Sequence, residues 1–452
     1  MLHDSLIAIA LQKLRYEAAQ FYISDKKIMA CADAATQPLH RENLMSQIDR
    51  VRTQSLLGAE GLDALALFQP ENFRYATGVS AGVATMWGRA GSAIALVPAD
   101  EKAKLAAVIS DHAYAGAAHL SETIDFRTHR IWIDMVSVEN ARTIEDINVA
   151  YRQANNVGPR AETFDQDAAF RLLGDLLAEH GLSNAKIGVD LEFMPAADFA
   201  ALKRALPLVD WQDASILVKR LRLIKNAREI EYLRNAAHYA EIGLENMLNT
   251  ARRGSSLSAL SASWLEGATQ AASANGQGLS GNWAYISVGP DLQDIKAELK
   301  EGDLVKADVG TLISGYSSDG ARTYVCGKPD PLASEIYKVL QESFAVGEAL
   351  LKPGTRFCDV HAAMLGIMRK RGFSEYYRGH FGHSVGAAVG VEEWPFISAS
   401  NEMLIAPNMV LALETPFYAN GLGALMIEEQ FLITKNGAES MNKLSRELVQ
   451  IG

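Results

Sequence analysis

Residues 303–327, DLVKADVGTLISGYSSDGARTYVCG, set two acids inside an otherwise β-rich stretch, and this pairing restricts the fold more than any bulk property of the chain. Runs rich in Val, Ile, Thr and Tyr flank Ser314-Gly315, the composition of a hairpin turn. With the turn centred between Ile313 and Ser314, Asp308 and Asp319 stand directly opposite each other. Opposed residues of an antiparallel pair share a face, with Cβ atoms about 5 Å apart. Two carboxylates that close repel, and one holds a proton unless a cation lies between them. Taken singly, either aspartate serves equally to end a strand or cap a turn; it is the pairing that argues for a cation.

Two later runs carry further acids. NMVLALETPF (408–417) reads as a buried strand interrupted by Glu414, and LMIEEQFLIT (425–434) as another holding Glu428 and Glu429. A carboxylate in an apolar strand is costly unless it is paired or metal-bound, and a single one is most often salt-bridged. Between the hairpin and these strands, GHFGHSVGAAVGVEEWP (379–395) sets His383 among glycines ahead of the acid pair Glu392 and Glu393. The aspartate pair, His383 and a glutamate from each of the two strands make an oxygen and nitrogen donor set. Such a set suits two hard or borderline divalent ions, with bridging carboxylates and a shared water made nucleophilic.

With 452 residues and 48% hydrophobic content, the chain can form two or three domains with a large core. From about 40 to 215, apolar runs such as LDALALF (62–68), SAIALVP (92–98) and KIGVD (186–190) alternate with helical stretches such as DAAFRLLGDLLAEHG (167–181), giving a mixed α/β domain. Apolar residues at helical spacing over 217–248 open a second domain, while 121–160 shows no clear pattern. The start, MLHDSLIAIALQKLRYEAAQFYI, reads as a helix without the basic flank of a signal peptide, so residues 1–39 are expected to be a helical segment and the protein cytoplasmic. No apolar run approaches the roughly 20 residues that span a bilayer. A net charge of -11 without a long basic run excludes nucleic acid and anionic membrane as partners. Cys31, Cys326 and Cys358 lie far apart, which excludes a disulfide scaffold or C-x-x-C zinc site and fits a reducing compartment.

The order Asp308, Asp319, His383, Glu414, Glu428, with GHSVG around the histidine and I-E-E-x-x-L-I-T around the last glutamate, resembles the creatinase, prolidase and aminopeptidase P superfamily, the pita-bread fold of peptidase family M24. NFRYATG (72–78), IGVDLEFMP (187–195) and DASILVKRLRLIKNAREIEYLRNAA (213–237) resemble its N-terminal domain and hinge. The resemblance implies an α+β chain: a creatinase-like α/β domain over 40–215, then a pita-bread metal-binding catalytic domain over 216–452. It places Glu428 rather than Glu429 in the ligand set. Asp308 and Asp319 then bind one ion, one of them bridges with Glu428 to a second, and His383 with Glu414 completes the site. Glu414 also exchanges the proton of the attacking water. Manganese, iron, cobalt and zinc all fit such ligands. Family members commonly pair, so a homodimer is expected in which one N-terminal domain covers the neighbour's site.

The departures from the family bear on the reaction. No histidine stands in ISVGPDLQDIKAELKEGD (286–303), and none follows His383, whereas family peptidases carry one in each place. E-E-W-P replaces the usual H-E-x-P, with Glu392 where the histidine would be, two residues late. Creatinase holds its substrate carboxylate through F-G-R; Trp87-Gly88-Arg89 stands in a matching context here, and an arginine fork suits a small carboxylate. Dimethylsulfoniopropionate-cleaving relatives have D-E-W-P, its first acid acting as base, and an extra aspartate where this chain has Lys306.

The expected function is metal-dependent hydrolysis of a C–N bond in a small carboxylate-bearing substrate, an Xaa-Pro dipeptide or a non-peptide amide such as those of creatinase and ectoine hydrolase. Glu414 carries the proton and Glu392 replaces the missing histidine as acid. A lyase with Glu392 as base is the second reading, and a non-catalytic binding module the third. His380, near His383, is an auxiliary donor; His238 and His361 sit in helical patterns and are read as structural, and Tyr316 as packing.

Overall fold

The computed structural model describes residues 46–154, 157–387 and 392–452; the helical segment expected over 1–39, and Cys31 within it, lie outside the described residues. Two sheets carry the chain. The first orders its strands β4-β3-β2-β1-β5-β6, from β1 (Ala64–Leu67), β2 (Ile94–Pro98), β3 (Leu105–Ser110), β4 (Ile124–His129), β5 (Lys186–Val189) and β6 (Asp210–Asp213). Parallel and antiparallel pairs mix within it. Both faces are apolar because both are covered, as near-continuous hydrophobic strands require. Leu57, Phe73, Leu217, Val218 and Leu221 pack on one side, and Phe170, Leu173, Leu176 and Leu202 on the other. The unpatterned 121–160 stretch supplies β4 and a surface helix, Ile144–Gln153, with no buried residue.

Helix Ser215–Leu223 straddles the boundary expected at residue 216, its apolar face lying in the N-terminal core. Its end ties the halves together: Arg222 donates to Asn72 Oδ1 at 2.9 Å and Glu393 Oε1 at 2.6 Å. A new helix, Ala227–Thr250, begins at Asn226, whose side chain and Glu229 form a capping box.

The second sheet runs β12-β11-β13-β14-β10-β8-β7. Its members are β7 (Gly281–Val288), β8 (Leu304–Ile313), β9 (Tyr316–Ser317), β10 (Ala321–Cys326), β11 (His380–Ser384), β12 (Glu393–Ser398), β13 (Val410–Ala419) and β14 (Gly423–Thr434), with β15 (Gly437–Ser440) and β16 (Val449–Ile451) beside β14 and β10. Helices Ala227–Thr250 and Leu257–Ala274 pack against β8 and β7; Pro331–Leu350 and Phe357–Lys370 pack against β13, β14 and β12. No helix among the described residues is long and apolar enough to cross a membrane.

The hairpin forms where expected, but its register corrects the sequence reading. Ser314 (φ 50°) and Gly315 (φ 80°) are the two left-handed centre residues, so the turn is centred one residue later than composition alone indicated. Leu312 therefore pairs with Ser317, and Asp308 faces Ala321, not Asp319. Asp319, two residues before Ala321, becomes a diagonal neighbour of Asp308.

Candidate metal centre

The sheet ladder alone explains how the acids meet. Asp308 pairs with Ala321, Ala321 with Glu428, and Glu428 with Glu414, so four adjacent strands contribute one lateral row of residues. Residues paired across strands share a face, and the small Ala321 leaves its place in the row open. Asp319 enters beside it, its backbone N–H donating to Gln430 Oε1 at 3.3 Å. Glu414 and Glu428 are opposed directly, the arrangement that like charges disfavour.

His383 comes from β11. Its Nε2 lies 3.3 Å from Asp319 Oδ2 and 3.7 Å from Glu428 Oε1, and its Nδ1 is 2.9 Å from Ser384 O. With the proton on Nδ1 donated to that carbonyl, Nε2 turns a lone pair toward the acids, the tautomer a metal ligand needs. His380 is three positions away on the same strand, and strict alternation sends it to the opposite face. Gly382 removes that obstacle. Its φ of 138° is open to glycine, a Cβ there would lie 2.1 Å from Ala412 O, and the β11–β12 register shifts on both sides of His383. The two imidazoles end 6.1 Å apart. His380 Nδ1 is 3.1 Å from Glu414 Oε1, and Nε2 3.5 Å from Glu392 Oε2.

Two groups thus form: Asp319, His383 and Glu428, all buried, and His380, Glu392 and Glu414, in which Glu392 is half exposed. Within each, one ligand atom per residue lies within 4.8 Å of the others, close enough to hold a cation. Burial, then Glu428, drives the Asp319 carboxyl well above its ordinary range; burial, then Asp308 and Glu414, does the same to Glu428. Asp308 is raised by burial against the pull of Lys306, whose Nζ is 3.1 Å from its Oδ2. Burial also pushes Glu414 upward, but His380 and Arg378 outweigh it and hold this carboxyl low. Glu414 Oε1 and His380 Nδ1 are buried and face each other at 3.1 Å, with no other hydrogen-bond partner among the described residues. Carboxylates raised by burial and by neighbouring carboxylates, with an oriented imidazole, fit a hard or borderline divalent ion.

Arg378 and Lys306 were not singled out as site residues by sequence reasoning. Lys306 shares the face of Asp308 by strand period alone and was legible. Arg378, whose Nη2 donates to Glu414 Oε2 at 2.8 Å, sits in a loop without periodic signal, held by His361 Nε2 at 2.9 Å from its carbonyl. Trp87 and Arg89 lie apart from the cluster. Arg89 binds Asp198 and Gln166 within its own domain, and Trp87 stacks edge-on against Trp132. Next to Glu392 and Phe396, a cavity of about 240 Å³ extends under Gln69, Asn72, Asp190 and Arg222 of the N-terminal half.

An acid and histidine centre on the larger sheet, with an α/β domain beside its rim, defines a class of metal-dependent hydrolases. The metallopeptidase family M24 matches residues 231–435 and the creatinase/prolidase N-terminal domain residues 50–224. YkvY of Bacillus subtilis is 30% identical over 305 residues, 66% of this chain and 82% of that protein. The Xaa-Pro dipeptidase of Pyrococcus horikoshii is 28% identical over 265 residues, 57% of this chain and 73% of its own length. The solved Xaa-Pro dipeptidase from Bacillus anthracis shares the fold, with TM-score 0.70 at 20% identity over 89% of this chain and 100% of that one. The chain belongs to metallopeptidase family M24.

Proposed function

We propose that this enzyme hydrolyses the C–N bond of a small carboxylate-bearing substrate, with Xaa-Pro dipeptides the first class. The carrying observation is the buried group of Asp319, His383 and Glu428, whose acids are raised by burial and by neighbouring carboxylates and, among the described residues, lack the arginine partners that close the neighbouring Glu429. Relatives named Xaa-Pro dipeptidase support the substrate class. Asp319, His383, Glu428 and Glu414 would hold divalent metal, with Asp308 as an outer ligand were two ions held. When bound, manganese, iron, cobalt or zinc supplies Lewis-acid polarisation of the scissile carbonyl and lowers the pKa of water.

The chain's own groups carry the protons. Glu414, kept ionised beside Arg378 and His380, accepts the proton of the attacking water. His380 lies between Glu414 and Glu392, and Glu392 at the half-exposed rim delivers a proton to the leaving amine in place of the family's histidine. The small cavity beside Glu392 suits a dipeptide-sized ligand. In the same proposal residues 40–215 cover the site and 216–452 perform the chemistry. Two chains pair through the exposed Val83, Met86 and Trp87, bringing Arg89 toward a neighbour's substrate carboxylate. The setting is cytoplasmic, as the free Cys326 and Cys358 suit.

The test is a substrate panel with added Mn²⁺: Xaa-Pro dipeptides, ectoine, creatine and dimethylsulfoniopropionate. Dipeptide cleavage that EDTA abolishes and that E414Q slows by about 10²–10⁴-fold is the expected result. A second reading, the lyase, is favoured by one observation: the rim group beside His380 is a carboxylate. Turnover of dimethylsulfoniopropionate alone, lost in E392Q, would replace the hydrolase reading with it.

A further inference from the structure

Lys306 is two residues before Asp308 on β8 and so projects from the same face. Its side chain is only 7% exposed, its Nζ is 3.1 Å from Asp308 Oδ2, and the Tyr418 ring lies 5.9 Å from the ammonium. On the other side of the row, Arg378 takes up Glu414 Oε2 at 2.8 Å. Each flank of the centre therefore already carries a positive side chain. Glu392, half exposed at the rim, is left to solvent; the four inner acids Asp308, Asp319, Glu414 and Glu428 against Lys306 and Arg378 leave two negative charges, which one divalent ion neutralises. Of the two groups of converging ligand atoms, that of His380, Glu392 and Glu414 already has Arg378 on Glu414, whereas among the described residues no lysine or arginine forms an ion pair with Asp319 or Glu428 of the other. Among the described residues Asp308 joins no such group. A second ion on Asp308 would stand against a buried ammonium a few ångströms away, where little water screens the repulsion.

We propose that Lys306 takes the place of one of two ions: the centre holds a single divalent cation at Asp319, His383 and Glu428, and the Lys306 ammonium neutralises Asp308. This inference rests on the metal-dependent reading above. It makes Asp308 an anchor for Lys306 instead of an outer metal ligand.

The experiment strips the full-length chain with EDTA, reloads it with Mn²⁺, desalts it, and reads metal per chain by mass spectrometry together with the Mn²⁺ EPR signal. The expected result for the natural sequence is about one ion per chain, with the full-intensity hyperfine pattern of an isolated ion. K306M should take up about two, its signal reduced by spin coupling, and K306R about one. Two coupled ions in the natural chain overturn the proposal, as does an uptake in K306M that stays at one. Should K306M fail to fold, the EPR intensity of the natural chain still decides. No bound metal in any chain overturns the metal-dependent reading itself, an outcome distinct from a count of two.

Discussion

Glu428 and Glu429 are adjacent on β14 and equally buried, yet they live in opposite worlds. Glu429 points to the face where Arg322 and Arg446 both bind it and Ser440 donates at 3.0 Å. Arg446 in turn reaches Glu348. Glu428 points to the face where Asp308, Glu414 and Asp319 crowd it, and among the described residues His383 is its one ion-pair partner, with the Lys306 charge acting from farther off. A buried acid that serves the fold arrives with its donors; one that serves a ligand is left short of them. The strand period of two puts these two environments on consecutive residues.

The comparison can be broken most forcefully by neutralising each glutamate in turn. E429Q leaves the buried Arg322 short of charge and should cost about 3–5 kcal/mol of stability, read from urea unfolding. E428Q should act in the opposite direction on the metal-free protein, raising its stability by about 1 kcal/mol because a buried like charge disappears. Equal losses in the two variants would end the distinction.

A third buried acid sharpens it. Asp190, in the N-terminal half, accepts from Phe68 N, Gln69 N and Asn72 Nδ2, all neutral donors. Burial pushes its carboxyl up to about 6, with those hydrogen bonds pulling back. Between about pH 4 and 6 the folded chain then keeps a proton that the unfolded chain releases, so this group's contribution to stability falls as pH rises through that window and is level above it. The full difference is about 3 kcal/mol, and D190N should flatten that limb of the stability profile against pH. The smallest effect belongs to Arg89, whose side chain is 51% exposed in its bridge to Asp198; R89A should cost no more than about 1 kcal/mol in thermal unfolding and leave Mn²⁺ binding intact.

Much of this was legible in the sequence. Strand runs such as SAIALVP and LMIEEQFLIT announce themselves by composition, and the helix over 166–179 by period. Asp308, Asp319 and Glu414 stand out as acids inside β-rich runs and His383 as a histidine among glycines, whereas the choice of Glu428 over Glu429 came from the family resemblance. What escaped was geometry finer than a periodic pattern. A two-residue turn with both centres left-handed moved the hairpin register, and one residue of centring decides which side chain faces which. Gly382 bends β11 so that His380 joins His383, against the alternation that sequence reasoning must assume. The paired cations Lys306 and Arg378 depend on which face and loop meet the row, and for Arg378 only the folded chain answers that.

The most direct measurement is calorimetric titration of the EDTA-stripped chain with Mn²⁺, for the natural sequence and for E428Q. Saturable binding in the first and its loss in the second are predicted, with the folded state of E428Q verified by its unfolding curve. Binding that survives unchanged in E428Q, or none in the natural chain, would contradict the claim that this face of β14 is built for a cation.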